Sequence, residues 1–151
     1  MPSPNSQRQK IIDQVIHRLN AYTGGIAIDS IRRFQREDGF VFDADVIYVY
    51  GGEEQAEFSE YGTTRIKAMT LRMAVIISRA DCPEREFESL LKNCRDVIER
   101  DPELKTTATD ATTALAIDMQ EVGVTQPEYL ADCYVGEIQW RVRYQYTVAD
   151  A

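Results

Sequence analysis

Residues 134–148, YVGEIQWRVRYQYTV, alternate apolar and polar side chains more cleanly than any other stretch of this 151-residue chain. The apolar positions are Ile138, Trp140, Val142, Tyr144 and Tyr146. Glutamate, glutamine and arginine occupy the positions between them. Because successive side chains of a strand point to opposite faces of a sheet, this stretch predicts a strand with one face on the core.

A second long strand is predicted over residues 65–79, RIKAMTLRMAVIISR, where Met69, Leu71, Met73, Val75 and Ile77 occupy alternate positions. The opposite face of this strand starts polar and becomes apolar near Ile76, as expected where a neighbouring element or subunit covers it. Shorter β-rich runs occupy residues 45–50 and 115–124. In the later run the apolar positions change phase after Met119, which predicts a β-bulge.

Two amphipathic helices are predicted over residues 8–21 and 83–100, since apolar residues recur there at three- and four-residue steps. The thiol of Cys94 falls on the apolar stripe of the second helix, which indicates a core position. The order of elements predicts one α+β domain over residues 8–148, with a mostly antiparallel sheet and the helices packed on one face. Residues 1–7 are predicted to form a mobile tail.

Composition excludes several classes of function. Asp and Glu number 25 against 17 Lys and Arg, giving a net charge of −8, which argues against sequence-specific binding of nucleic acid. The three cysteines, Cys82, Cys94 and Cys133, are widely spaced and accompany a single histidine, His17. This pattern favours reduced thiols over a zinc site or a disulfide framework. Neither a bound metal nor another cofactor is predicted, and no apolar run is long enough to span a membrane.

Gly51 and Gly52 follow an apolar run and precede four glutamates. A phosphate-binding loop would need a lysine or a helix N-terminus after the glycines, and here acids follow instead. Residues 51–63 are therefore predicted to form an exposed, mobile loop that is hinged at the glycine pair. No motif of a catalytic nucleophile or base is present. Because residues 43–60 carry several carboxylates, which could bind a hard cation, a small metal-assisted hydrolase or binding domain is an alternative function.

Basic residues cluster apart from the acidic segment 51–63, on the predicted strands and on residues 26–34, a run whose pattern fits either a short helix or a strand. They include Arg32, Arg33, Arg65, Lys67, Arg72, Arg141 and Arg143. Opposite charge on different faces of one small domain suits head-to-tail contact between copies, which closes into a ring when the rotation permits. The alternative is that these residues are simply the solvated faces of a sheet.

The order of the predicted elements and several short patches of sequence resemble those of the tail-terminator proteins of long-tailed bacteriophages. These proteins are also called minor tail or tail-completion proteins. The segments are RQKIIDQVIHRLNAYTGG (8–25), ADVIYVYGGEEQAEF (44–58), RIKAMTLRMAVIISR (65–79), EFESLLKNCRDVIERDPEL (86–104) and GEIQWRVRYQYTV (136–148). Together with IRRFQRED (31–38), they make the resemblance extend over almost all of residues 7–148. It rests on element order and short patches rather than on a catalytic signature.

The resemblance implies a non-enzymatic α+β protein that forms a homo-hexameric ring. Such a ring caps the tail tube, ends its polymerisation and offers a surface for the head. The implied partners are the major tail tube protein, a head-completion or connector protein, and phage DNA that passes through the channel without sequence-specific binding. The implied location is the head–tail junction of the virion, after assembly in the host cytoplasm. Another neck protein, for head completion or head–tail joining, is the alternative.

Two sets of contact residues follow from this resemblance as expectations. The predicted contacts with the tail tube or another partner are Gly51, Gly52, Glu53, Glu54, Glu57, Phe58, Glu60 and Tyr61. The predicted contacts between subunits are the seven basic residues named above. Six copies at −8 each would give the ring a formal charge of −48, and acids lining its hole would keep DNA from adhering.

Overall fold

The computed structural model of the chain describes residues 7–22, 30–33, 45–57, 64–78, 84–104, 116–125, 128–130 and 133–147. The helices and strands in these ranges are α1 (Gln7–Ala21), β1 (Ser30–Arg33), β2 (Val46–Glu57), β3 (Thr64–Ile77), α2 (Glu84–Glu99), β4 (Asp118–Val124), β5 (Glu128–Leu130) and β6 (Cys133–Thr147). Helix α1 begins at the last residue of the predicted tail, and residues 1–6 lie outside the described ranges.

The strands form one sheet in the order β1-β2-β3-β6-β4, and β5 also pairs with β6. Strands β1 and β2 are parallel, and the other pairs are antiparallel. The central ladder joins β3 and β6 from Thr64↔Thr147 to Ile77↔Tyr134. This architecture confirms the predicted α+β class and its mostly antiparallel sheet.

Both helices pack on the same face of the sheet, as predicted. The apolar stripes of α1 and α2 enter one core with the alternating residues of β3 and β6. Trp140, which is 1% exposed, lies in this core, and its Nε1 donates a hydrogen bond to Sδ of Met73 at 3.1 Å. Cys94 is also fully buried there. Burial of each large apolar side chain contributes about 1.5–3 kcal/mol, so the alternation seen in the sequence specifies which face carries the helices.

A smaller apolar cluster lies on the opposite face of the sheet. Its buried members are Val46, Tyr48, Ala74, Ile76 and Cys133. Ile76 is 1% exposed within a single copy of the chain. The apolar end of this face of β3 is therefore covered without a second subunit, which decides between the two alternatives left by the sequence.

The prediction of a mobile loop from Gly51 onward is wrong for residues 51–57, because β2 continues through both glycines to Glu57. Gly51 pairs with Leu71 and Glu54 with Met69, so three steps on β2 match two on β3 and form a bulge. Glycine suits this bulge because arginines occupy the adjacent space. A Cβ on Gly51 would lie 2.7 Å from a guanidinium nitrogen of Arg8.

The second bulge, predicted in the run 115–124, is confirmed by a register shift between Glu121 and Gly123. The short strand β5 lies within residues 125–132, a segment whose composition predicts a connection. It pairs with the first residues of β6, from Glu128↔Val135 to Leu130↔Cys133. Strands β4 and β5 thus follow one another along the same side of β6.

Candidate interaction surfaces

The bulge in β2 places Glu54 on the face that carries the helices. Its carboxylate lies 3.0 Å from a guanidinium nitrogen of Arg8 and 3.6 Å from Nζ of Lys67. The hydroxyl of Tyr144 donates a hydrogen bond to the same carboxylate at 2.8 Å. One carboxylate therefore links α1, β2, β3 and β6, and we call these four residues the Glu54 cluster.

The electrostatics of the Glu54 cluster favour the ionised carboxylate. Burial alone would raise the pKa of Glu54, but the hydrogen bonds from Tyr144 and Arg8 and the charges of Arg8 and Lys67 outweigh it and lower the pKa. The side chain is 25% exposed. Both Glu53 and Glu54 are exposed residues, but only Glu54 has partners described within the chain.

A second polar group, the Glu137 cluster, lies on the opposite face. The carboxylate of Glu137 accepts hydrogen bonds at 2.9 Å from Arg72, Tyr50 and Gln139. Burial raises the pKa of Tyr50 to about 12, assisted by its hydrogen bond to Glu137 and the charge of that carboxylate, while Arg72 opposes the shift. The Glu137 carboxylate is therefore held in place on this face by the Tyr50 phenol, the Arg72 guanidinium and the Gln139 amide.

The β1 end of the sheet carries two arginines that point to different faces. Arg33 lies on the helix-bearing face, where its guanidinium is 3.6 Å from the carboxylate of Asp13 in α1. Arg32 lies on the other face, with its guanidinium 5.4 Å from the centroid of the Tyr48 ring. Among the described strands, β1 pairs with β2 alone. This end of the sheet is an edge with positive charge on both faces.

The β4 end carries acids. Glu121 accepts a hydrogen bond from Nε of Arg95 in α2 at 3.1 Å, and Asp118 accepts one from Arg143 at 3.4 Å. Residues 120–123 are exposed in succession, and Val122 is 63% exposed. Of the described strands, β4 pairs only with β6. The two edge strands thus differ in the sign of the charged residues they carry, arginines on β1 and acids on β4.

The described members of the predicted contact sets are spread over several parts of the fold. The basic set is divided between the β1 edge, the Glu54 cluster, the Glu137 cluster and β6. Four of its members form ion pairs within the chain: Arg33, Lys67, Arg72 and Arg143. Arg141 is exposed, and nothing is described of the side chain of Arg65.

The predicted tube-contact set is divided in a similar way. Gly51 and Gly52 lie in β2 beside arginine side chains, Glu53 is exposed, and Glu54 belongs to its cluster. Glu57 ends β2, although its side chain is outside the description. The rest of the set, Phe58, Glu60 and Tyr61, lies outside the described residues.

Sequence reasoning named Glu54, Lys67 and Arg72 as site residues but missed Arg8, Tyr144 and Glu137, which complete the two clusters. The sequence pattern assigns Arg8 only to a helix and Glu137 only to a polar strand face. The alternation of β6 offered one usable signal, because it places Glu137 and Gln139 on the face away from the helices. The partners of Glu54 gave no such signal, since they lie on other elements and Tyr144 is 90 residues away in sequence.

Of the carboxylates considered for a metal site, Asp45 and Glu54 have other partners within the chain. Asp45 accepts hydrogen bonds from the backbone N–H and hydroxyl of Ser78, at 2.8 and 3.3 Å. Across the described ranges, no three His, Cys, Asp or Glu side chains are grouped as metal ligands. Asp43 lies outside those ranges. Neither α1 nor α2 has the length and apolar character of a membrane-spanning helix.

Comparison with known proteins gives a likeness of fold. No family model matches the chain. No curated protein matches it either. Among solved structures, a chain in the virion of a native gene transfer agent particle superposes with a TM-score of 0.52 at 11% sequence identity. The match covers 87% of this chain and 92% of that chain, so the two share a fold over nearly their whole lengths.

Proposed function

We propose that the chain is a structural protein of a phage-like virion. In this proposal it forms a hexameric ring that caps the tail tube, ends tube polymerisation and provides the surface that joins the head. The observation that carries the proposal is the fold shared, over 87% of this chain, with a chain of a gene transfer agent virion. The resemblance of its segments to tail-terminator proteins supports the specific position in the virion.

The described polar groups are compatible with a non-enzymatic role. The carboxylates of Glu54 and Glu137 each have three partners within the chain. Such fully partnered groups fix the relative positions of secondary-structure elements. A rigid sheet with two charged edges suits a protein whose task is to hold several partners in a defined geometry.

The partners in this proposal are the major tail tube protein and a head-completion or connector protein, at the head–tail junction of a virion assembled in the host cytoplasm. The tube contact is assigned to the end of β2 and the residues after it, namely Gly51, Gly52, Glu53, Glu57, Phe58, Glu60 and Tyr61. Glu54 supports this segment from inside the chain, through Arg8 and Lys67. The acidic character of the ring would let DNA pass through its channel without adhering.

The direct test is polymerisation of the tail tube subunit from the same phage or prophage, with and without this protein. Electron microscopy should show shorter tubes with one end capped. A matched pair of charge reversals, Glu53→Lys within the proposed contact and Glu99→Lys on the exposed end of α2, locates the contact. The first should weaken capping and the second should not.

Tubes of unchanged length would contradict the terminator role. If the protein instead bound isolated heads or connectors and left tube growth unchanged, the neck-adaptor function would replace it. Native mass spectrometry checks the ring independently, because a hexamer should appear as the concentration rises.

A further inference from the structure

The sheet ends in two edges of opposite charge, and each edge strand has a pairing partner on one side only within the described part of the chain. An edge strand presents unpaired N–H and C=O groups and is a template for a further strand. The β1 edge is four residues long, Ser30–Arg33. The exposed part of the β4 edge, residues 120–123, has the same length.

The β4 edge is accessible to a neighbouring strand. Val122 exposes 63% of its surface, although β-branched residues in sheets are normally covered. Among the described residues, and apart from its chain neighbours, nothing lies within 4 Å of the position that a Cβ on Gly123 would take, so the face of the strand there is uncovered. The β4 edge therefore combines an exposed apolar side chain, at the bulged position Val122, with a backbone that pairs on one side only among the described strands.

Charge selects the partner of this edge. Two β4 edges paired about a two-fold axis would bring Glu121 and Asp118 of one copy near the same acids of the other, which is unfavourable. The β1 edge offers arginines instead. Glu121 and Arg33 both lie on the helix-bearing face, beside Arg95 and Asp13 respectively. Joining β4 to β1 of another copy would therefore give a row of alternating charge, Arg95–Glu121–Arg33–Asp13.

The strand directions permit this joint. Strand β1 is parallel to β2, and the next pairs in the order β2-β3-β6-β4 are all antiparallel. Consequently β1 and β4 run in opposite directions within one sheet. A rotation about an axis along the strands keeps their directions, so β4 of one copy meets β1 of the next copy antiparallel. Repeating the same rotation closes a ring.

We infer that copies of this chain join head to tail through their sheet edges, with β4 of one copy pairing antiparallel with β1 of the next and Glu121 facing Arg33. The inference rests on the proposed ring and names the surfaces that build it. A four-residue ladder makes each joint weak. The closed ring, in which every copy makes two joints, is then the stable form, and assembly depends on concentration.

The test uses charge reversals in the full chain, followed by native mass spectrometry and sedimentation velocity. Arg33→Glu and Glu121→Arg should each raise the concentration needed for assembly by roughly tenfold or more, because each puts like charges at every joint. Combining both reversals in one chain restores opposite charges at the joint and should recover part of the lost assembly, because Arg95 and Asp13 then lie beside side chains of their own charge. Glu99→Arg, on α2 and away from both edges, is the control and should assemble like the wild type.

Mixing the two single variants in equal amounts gives a sharper result. In a ring that alternates the two variants, every joint again brings unlike charges together. The mixture should therefore assemble where neither variant assembles alone, and only even-numbered rings should form. Val122→Lys adds a variant whose changed side chain is largely in solvent, and it should also block assembly while leaving the melting temperature near that of the wild type.

The outcomes separate the two proposals. Wild-type rings that persist in Arg33→Glu, Glu121→Arg and Val122→Lys would overturn the edge joint and leave the ring standing. A wild-type chain that stays monomeric at high concentration and in the presence of tail tubes would overturn both the joint and the proposed ring.

Discussion

Replacing Gly136 by alanine should destabilise the packing of α2 on the sheet. A Cβ at this position would lie 2.8 Å from both Cε1 and Cζ of Phe87, well inside van der Waals contact. Phe87 is fully buried in the main core, so its ring cannot swing into solvent. Either the helix or β6 must shift, and such overpacking typically costs about 1–3 kcal/mol.

Alanine also restricts the unfolded chain, which returns about 0.4–1 kcal/mol where the backbone conformation suits it. The expected net loss for Gly136→Ala is therefore about 1–2 kcal/mol. For a domain of this size, each kcal/mol lowers the melting temperature by about 2–4 °C, so the expected decrease is about 2–8 °C. The control is Gly123→Ala, since a Cβ there meets nothing within 4 Å, and its stability should be unchanged or slightly higher.

Unfolding can be followed through Trp140, the single tryptophan of the chain, which lies in the same core. The measurement should be made at concentrations where the chain is monomeric. Phe87→Leu removes the two ring atoms that obstruct the new methyl group. In that background Gly136→Ala should cost little, giving a coupling energy of about 1–2 kcal/mol. Equal losses in both backgrounds would refute the steric reasoning.

Glu54→Gln should reduce stability at neutral pH by about 1 kcal/mol, because Arg8 then faces no anion. The pKa of Glu54 is lowered in the folded protein, so this stabilisation is lost as the pH falls through that pKa. The urea unfolding curves of variant and wild type should therefore converge at acid pH. A difference in stability that stays constant with pH would contradict the argument. Tyr50→Phe should remove one step near pH 12 from the tyrosinate absorbance titration, since the pKa of Tyr50 is raised to about 12, and identical curves would exclude this assignment. The contribution of the protonated Tyr50 hydroxyl to the free energy of unfolding is present below pH ~10 and is lost as the pH rises through about 12. Burial raises the pKa of Cys94 to about 12, so its thiol should not react with a labelling reagent in the folded protein. Cys94→Ser should therefore leave the number of thiols labelled in native buffer unchanged and lower that number by one in urea. A lower number in native buffer would show that Cys94 is accessible.

The sequence predicted the elements whose one-sided burial leaves a periodic trace. Trp140 and its alternating neighbours had to face a core, and so did the residues spaced two apart around Met73. The stripe around Leu91 likewise placed α2. The phase change after Met119 indicated the bulge in β4 because a bulge shifts every later side chain to the other face.

The errors arose where distant contacts decide local structure. Glycine and glutamate after Tyr50 are typical of a loop, yet β2 persists there because β3 pairs with it and arginine side chains fill the space beside the glycines. The bulge then reverses the faces, which hides the fact that Glu54 and Lys67 meet. Strands β1 and β5 are too short to show periodicity, and the parallel pairing of β1 is a long-range property.

The position of β6 in the sheet has a consequence for the order in which the protein can fold. This strand is the last of the described strands to leave the ribosome, yet it pairs with β3 along one side and with β4 and β5 along the other. Until residues 133–147 emerge, β3 has an open side and no central ladder exists. Nascent chains therefore expose an incomplete, aggregation-prone sheet until β6 is synthesised. The sheet can be completed only late, when β6 pairs with β3, β4 and β5.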